Sequence, residues 1–465
     1  MAVTGNTPSA SRLSFNGLNY LTSSDLIEMH AKAKMQIDPK VFGRYGTEKL
    51  GIMPFIEEFG QKEAATSSEF GHYEQDFTRD IILFSGATAG DGTAEVTLTI
   101  TAGYNYDYPA NQDQTWYADT YTNIDEKTNI LREGDVLMIG AKEVLVLSVN
   151  YTTGSAVVRT TQTGETITFA TDVSGVECYI IGRAREERST GPDGRDARLI
   201  QYRNYIQTID EAYKVSGAAL GQASVVSGFG GTDKWYATGI FNTRTNFDAL
   251  CELTLLTGRK ISNTGLGNTF KTEGIIPFIE NYGNVQNHGG TMDLAILDLM
   301  IADLKKYYGS DEYMLLESHP FNVQLDDSLR GIVDNGGVVF NQKMLDLGFG
   351  AVRRSGINIY RKSLQAFSDP RSLGSADSIY AQSALMIPTG TATAFDYNGG
   401  QMVEKPTMVL RYLDVDGEDM GYKEWVTGGA GIASTNNVDE MVITMRKRIG
   451  LELYGANLFG FFKHS

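Results

Sequence analysis

The sequence predicts an α+β chain with a small all-β domain inserted into it, and three stretches carry that expectation. From about Thr93 to Arg183, short β-branched and alternating runs are separated by Gly, Asn and Asp turns. Between Lys234 and Thr257, the residues Tyr236, Ile240, Thr243, Phe247, Leu250 and Thr254 recur at helical spacing. Cys251 and Leu255 lie beside them, and Gly258 follows as a stop signal. Between Thr291 and Arg330 a helix, a strand and a second helix follow in close succession.

The composition bounds the function. With 465 residues, 42% hydrophobic and 21% charged, the chain has the ordinary make-up of a folded protein with room for several domains. A net charge of -17 disfavours a protein whose task is gripping nucleic-acid phosphates, because that work needs basic stripes. Cys178 and Cys251 stand far apart without a CxxC, so neither a disulfide framework nor a thiolate metal cage is expected, and a reducing compartment fits. The opening MAVTGNTPSASRLSF has no signal pattern, and no apolar run approaches the ~20 residues of a membrane span. The 51 glycines and 24 tyrosines suit a β-rich chain with many turns and broad contact surfaces.

Taken in order, Met1 to about Lys40 reads as an N-terminal arm with one helix, Ser24 to Lys34. From Phe42 to Phe84, Phe55, Ile56, Phe59, Phe70, Tyr73 and Phe77 are spaced irregularly among acids, as in an extended segment that needs a partner. Six strands are then expected, at Ala94–Ile100, Asp135–Ile139, Glu143–Val149, Ala156–Thr160, Glu165–Phe169 and Glu177–Ile181, forming a small barrel or sandwich. Tyr104 to Tyr121, with Tyr106, Pro109 and Trp116, reads as a long surface loop suited to protein contact. A charged hinge follows, carrying Arg183, Arg185, Arg188, Arg195, Arg198 and Arg203 against Glu186, Glu187, Asp193 and Asp196.

The Lys234–Thr257 helix, about 24 residues at ~1.5 Å each, spans ~36 Å and serves as a spine. In the Thr291–Arg330 segment, Leu294, Leu297, Ile301, Leu304 and Tyr308 form one apolar stripe, with Thr291 as cap and Gly309 as a left-handed stop. Tyr313 to Glu317 reads as a buried strand, Pro320 as a break in regular structure, and Val323 to Leu329 as the second helix. Short strands and Gly-rich turns fill Asp334 to Gly429, and Glu440 to Phe459 reads as a strand pair with basic residues on one face.

No catalytic constellation emerges. His30, His72, His288, His319 and His464 are scattered without ligand spacing. Ser318 and His319 beside Glu317 have triad residue types, but neighbours on a strand point to opposite faces. Gly228-Phe-Gly230-Gly231 and Gly265-Leu-Gly267 lack the spacing and preceding strand of a dinucleotide cradle. Asp414, Asp416 and Glu418 are weak candidates for a Ca²⁺ or Mg²⁺ site against the plainer reading of a solvated turn. No cofactor is expected. The residues alone therefore describe a structural or assembly protein. A carbohydrate-binding or carbohydrate-cleaving protein is the rival, on the tyrosine loop and the abundant carboxylates.

The order of parts resembles the major capsid proteins of tailed bacteriophages with the Hong Kong 97 (HK-97-like) fold. The residues that carry the resemblance are Arg203-Asn-Tyr-Ile-Gln-Thr-Ile-Asp-Glu-Ala-Tyr-Lys-Val-Ser-Gly217, Tyr313-Met-Leu-Leu-Glu-Ser-His-Pro320 and the closing Arg446-Lys-Arg-Ile-Gly-Leu-Glu-Leu-Tyr-Gly-Ala-Asn457. Within that group the chain looks similar to capsids of the crAss-like phages. The resemblance implies an N-terminal arm at 1–50, an outgoing extended loop at 51–92, the inserted β domain at 93–183 and a returning loop at 184–210. It further implies a peripheral domain at 211–284 closed by 431–465, and an axial domain at 285–430.

The implied function is a non-enzymatic shell subunit that self-assembles into hexamers and pentamers around double-stranded DNA, without sequence-specific DNA binding and without membrane contact. Portal, auxiliary or decoration proteins are the implied partners, and assembly takes place in the bacterial cytoplasm on the way to the virion. Arg183, Arg185, Arg188, Arg198, Arg203, Tyr106 and Trp116 are then candidate subunit contacts. Lysine–asparagine crosslinking, known in some members, has no matching position, and an encapsulin-like compartment is a closer rival of the same fold.

Overall fold

The computed structural model describes residues 51–75, 81–85, 94–104, 131–150, 153, 155–167, 176–185, 187, 199–220, 236–261, 269–306, 309–334, 350–375, 378–396, 401–430 and 435–464. The expected arm helix at Ser24–Lys34 and residues Tyr106, Trp116, Arg188, Arg198, Tyr308, Gly228–Gly231 and Gly265–Gly267 lie outside them.

The chain opens with α1 (Ile52–Phe59), β1 (Gln61–Ala65) and β2 (Glu69–Gln75), followed by β3 (Ile81–Ser85), β4 (Glu95–Tyr104), β5 (Asp135–Ile139), β6 (Lys142–Asn150), β7 (Ser155–Thr160) and β8 (Val176–Arg183). Then come β9 (Leu199–Tyr205), β10 (Gln207–Ser216), α2 (Gly217–Leu220), α3 (Tyr236–Thr257), α4 (Ile275–Tyr282), β11 (Asn284–Asn287), α5 (Leu294–Lys306), β12 (Glu312–Glu317) and α6 (His319–Asp334). The remainder is β13 (Ala351–Arg354), β14 (Ile357–Ser363), α7 (Gln365–Ser368), β15 (Ala384–Pro388), β16 (Thr391–Asp396), β17 (Gln401–Pro406), β18 (Met408–Val415), β19 (Glu418–Asp419), β20 (Lys423–Gly428), β21 (Glu440–Leu453) and β22 (Gly460–Lys463). Two compact units result, one of Met1–Phe70 with Arg203–Ser465 and the other of Gly71–Tyr202.

In the Gly71–Tyr202 unit, six strands close into an antiparallel barrel in the order β3-β4-β7-β6-β5-β8. Closure leaves no free strand edge on the ring. The period-two alternation of β7 puts Ala156, Val158 and Thr160 inward, where they meet Leu98, Leu137, Val144, Val146 and Cys178. Five of the six strands expected from sequence are present. The strand expected at Glu165–Phe169 is described only as far as Ile167, where Glu165 and Thr166 sit in irregular chain and Ile167 makes an isolated bridge, and it is not a member of the closed ring. Its place is taken by Ile81–Ser85, an apolar run that pairs with β4 on one side and β8 on the other. A backbone hydrogen bond from Glu165 N to Gln162 O, 3.3 Å, holds the chain in a turn at the point where the strand was expected to begin.

In the other unit, β21 organises one sheet. Its 14 residues pair antiparallel with β10 along 440–449, and on the opposite side with β20 over 441–446 and then β18 over 449–453. The strand pair expected between Glu440 and Phe459 is therefore one long strand with a short 3₁₀ turn after it, because its partners lie elsewhere in the sequence. The spine helix α3 packs on this sheet through Phe247, Cys251, Leu255 and Leu256, all buried. Leu250, expected on the apolar stripe, is exposed instead, since the buried face follows the i, i+4, i+8 row through Phe247. Burial pushes the thiols of Cys178 and Cys251 up to about 12, which leaves them unreactive packing groups.

The second sheet has the order β11-β22-β15-β12-β14-β13, with β12 at its centre between parallel β14 and antiparallel β15. Helices α5 and α6 cover it, and Met300, Ile301, Leu304, Tyr313, Leu315, Phe321, Ile359, Met386 and Phe462 form the core between them. Each such fully buried side chain contributes about 1.5–3 kcal/mol relative to exposure.

Three local expectations are corrected in this segment. Helix α5 begins at Leu294 with Asp293 rather than Thr291 before it, and Ile296 N and Leu297 N bond to Asp293 O. Gly309 has no positive φ; a Cβ there would meet Tyr313 Oη at 2.6 Å and Leu304 O at 2.8 Å, so close approach explains the glycine. Pro320 does not break structure but stands in the first turn of α6, where its missing N–H would be unpaired anyway. Ser318 supplies the cap there, accepting from Phe321 N at 3.3 Å.

Sheet membership also departs from the segment grouping. Strands β18, β19 and β20, grouped by sequence with 285–430, pair in the β21 sheet, while β22 near the C-terminus pairs with β11 and β15 in the second sheet.

Candidate assembly surfaces

The stretch Arg203–Gly217, which carried the resemblance, becomes the end of β9, all of β10 and the start of α2, and its asparagine has a definite task. Asn204 donates to Glu273 O at 3.0 Å and Leu451 O at 2.6 Å, and accepts from Glu273 N at 2.7 Å. One side chain thus ties β9, the loop before α4 and the long strand β21 together. Beside it, Phe70 lies against Gly450, where a Cβ would come within 2.6 Å of the ring.

The outer surface of that framework carries apolar side chains. From Phe241 to Asn246 every side chain of α3 except Thr243 is exposed. Phe241 and Leu250 on α3, and Tyr422 and Val426 around β20, all face solvent. Ion pairs tie α3 to two strands of the sheet: Arg244 to Glu424 of β20 at 2.5 Å, and Asp248 to Lys447 of β21 at 2.8 Å, with Lys447 Nζ 5.4 Å from the Phe247 ring centre. The β16–β17 hairpin is a two-stranded sheet on which Met402 is 72% exposed and Val403 is exposed beside it. A lone hairpin is marginal in water and gains from a cover. At its base, Lys405 bonds Glu63 at 3.2 Å, and Glu63 joins Arg411 at 2.6 Å and through it Glu452 at 2.5 Å.

The second sheet is held by a buried charge cluster that sequence reading missed. Arg361 reaches Glu317 at 3.1 Å and Asp326 at 2.5 Å, and donates to Asn322 O at 3.2 Å. Burial pushes the Glu317 carboxyl up to about 7, against the opposing pull of Arg361. Only Glu317 had drawn notice, as a neighbour of Ser318 and His319. Those two do not form a catalytic pair, since Ser318 is buried in its capping bond and His319 is exposed.

Of the candidate contact residues, Arg183, Arg185 and Arg203 lie among the described residues. Arg183 bonds Asp135 at 2.9 Å inside the barrel unit, and Asp135, fully buried, also accepts from Arg132 N at 2.9 Å. Arg203 pairs with Glu69 at 3.3 Å on the surface, and Arg185 is exposed. Asp414, Asp416 and Glu418 stand on a two-residue hairpin turn whose centre, Asp416-Gly417, has φ of 53° and 84°. Asp414 accepts from Gly417 N at 2.8 Å and Glu418 pairs with Lys423 at 2.5 Å, so these carboxylates are engaged by the turn and its flank. Among the described residues no three His, Cys, Asp or Glu side chains gather as a metal site, and no helix is long and apolar enough to cross a membrane.

Solved structures similar to this chain include the capsid of a native GTA particle, at 8% identity and a TM-score of 0.40, covering 94% of this chain and 98% of that one. A chain of Microbacterium phage Oxtober96 matches at 9% identity and 0.39, covering 95% and 98%. The SrpI encapsulin of Synechococcus elongatus matches at 10% and 0.33, covering 58% and 78%. These likenesses are loose. No curated protein sequence matches the chain. The family model described as SU10 major capsid protein matches residues 52–331, more than half of the 465 residues and inclusive of the whole barrel. The chain belongs to the SU10 major capsid protein family.

Proposed function

We propose that this chain assembles into hexamers and pentamers that close an icosahedral head shell around double-stranded phage DNA. The family match over residues 52–331 is the observation that carries this reading. Solvent-facing Phe241, Leu250, Met402, Val403, Tyr422 and Val426 support it, as exposed apolar side chains on α3, around β20 and on the β16–β17 hairpin. Assembly then draws on many individually modest contacts rather than one large interface. The net charge of -17 suits a wall from which packaged DNA, carrying its own counterions, is repelled.

In finer terms we assign the Hong Kong 97 type fold, with the β21 sheet and α3 as the peripheral domain and the β12 sheet at the capsomer axis. The order of parts supports placement beside the crAss-like capsids. The barrel is then an insertion on the extended loop, and portal and decoration proteins are the further partners. Assembly occurs in the host cytoplasm and the protein resides in the virion.

Mass photometry of the purified full chain, followed by nuclease digestion of particles made in phage-infected cells, tests the reading. Pentameric and hexameric masses and nuclease-protected double-stranded DNA are expected. Particles enclosing protein and no DNA would favour the encapsulin-like compartment, and a monomer with saturable glycan affinity would favour the carbohydrate reading.

A further inference from the structure

We propose that His288, His464 and the side-chain amide of Gln382 bind one borderline-soft divalent cation of the Zn²⁺ type, which staples the closing strand β22 to β11. His288 directly follows β11 and His464 directly follows β22. The two strands run parallel with Asn287 opposite Lys463, so the histidines are the next cross-strand pair. His288 N continues the ladder by donating to Lys463 O at 3.1 Å. The ring centres lie 5.6 Å apart. Two imidazoles sharing one cation at about 2.1 Å per bond have centres roughly 5–6 Å apart, the spacing these rings have.

The unpaired atoms point to a ligand. His288 is only 5% exposed, and its Nε2 lies 2.8 Å from the backbone oxygen of Gln382. A carbonyl only accepts, so Nε2 carries the proton and Nδ1 presents a lone pair. A histidine that donates its far nitrogen to a backbone carbonyl is oriented as metal-binding histidines are. That Nδ1, the Nδ1 of His464 and the Oε1 of Gln382 are all buried, with no hydrogen-bond partner among the described residues. The latter two lie 3.5 and 4.0 Å from the point where a Cβ on Gly290 would stand, so they face one small space over a glycine turn. Phe321 meets the His288 ring edge-on at 5.8 Å and closes the apolar side. Two imidazoles and an amide oxygen leave a fourth tetrahedral position to water, a weaker donor set than a cage of charged ligands.

The test uses the tag-free full chain, stripped with a chelator and titrated with Co²⁺ and Zn²⁺. Expected are one saturable Co²⁺ per chain with visible ligand-field bands, displacement by Zn²⁺, and a thermal midpoint that rises with Zn²⁺ but not with Mg²⁺. His464→Asn, a half-buried position past the strand end, lowers the affinity at least tenfold with an unchanged circular dichroism spectrum. His319→Asn, exposed and remote, leaves it unchanged. Absence of saturable binding by the wild-type chain, as when a water satisfies these atoms, overturns the proposal. So does binding that survives both His464→Asn and His288→Asn.

Discussion

Arg361 and Glu317 form an ion pair at 3.1 Å in which both side chains are almost shut off from solvent, at 2% and 0% exposure. Glu317 ends β12, and its partner lies on the parallel strand β14, so the pair locks the register at the centre of the second sheet. Removing one partner of such a pair leaves an uncompensated buried charge, and Glu317→Ala is expected to cost about 3–5 kcal/mol in chemical unfolding of the unassembled chain.

The same pair predicts a pH dependence. Burial raises the folded carboxyl from 4.5 to about 7, so between those values the native chain holds a proton that the unfolded chain releases. The contribution is present below pH ~4.5 and lost as pH rises through ~7. Thermal midpoints of wild type and Glu317→Gln measured from pH 5 to 8 should therefore shift in favour of the variant as pH rises. Parallel profiles would show that Arg361 keeps Glu317 ionised throughout.

Asn204→Ala removes the clamp on Glu273 and Leu451. Backbone groups left without a partner cost about 1–3 kcal/mol each, so a loss of ~2–4 kcal/mol in urea unfolding is expected. Asn204→Asp keeps the acceptor but not the donor and should fall between. A loss under ~0.5 kcal/mol for the alanine variant would mean that solvent replaces the clamp.

How much of this was legible in the sequence follows from how local each feature is. Helix α5, strand β12 and the strands of the barrel other than β3 were readable because their patterns repeat within a few residues. The sixth barrel strand, the single long β21 and the division of β18 and β22 between sheets were not, because partners outside their own segment decide them, from Val176–Tyr179 for β3 to Gln207–Ser216 for β21. The partner of Arg183 was hidden in the same way: it reads as a hinge charge until Asp135 is placed beside it. His288 and His464 look scattered until parallel pairing brings them together.

Arg183→Met tests whether that pair or a subunit contact is the task of this arginine. With Asp135 buried and accepting from Arg132 N as well, loss of the guanidinium is expected to destabilise the chain before assembly, by about 2–4 kcal/mol. Unchanged unfolding of unassembled protein combined with weakened particle formation would show that Arg183 acts as a subunit contact instead.

Met402→Asp and Val403→Asp address the exposed hairpin. Surface substitutions of this kind change fold stability by no more than about 0.5 kcal/mol. The concentration needed for capsomer formation should nevertheless rise at least tenfold, equivalent to about 1.4 kcal/mol per subunit. Light scattering of variant and wild type across a concentration series checks this, and identical assembly curves would exclude the hairpin as a contact.

Electron microscopy of the purified full-length chain tests the central claim most directly. The account predicts closed shells with fivefold and sixfold capsomers built from this subunit. A chain that stays monomeric at high concentration, and forms no capsomers under any solution condition or alongside its phage partners, would contradict it.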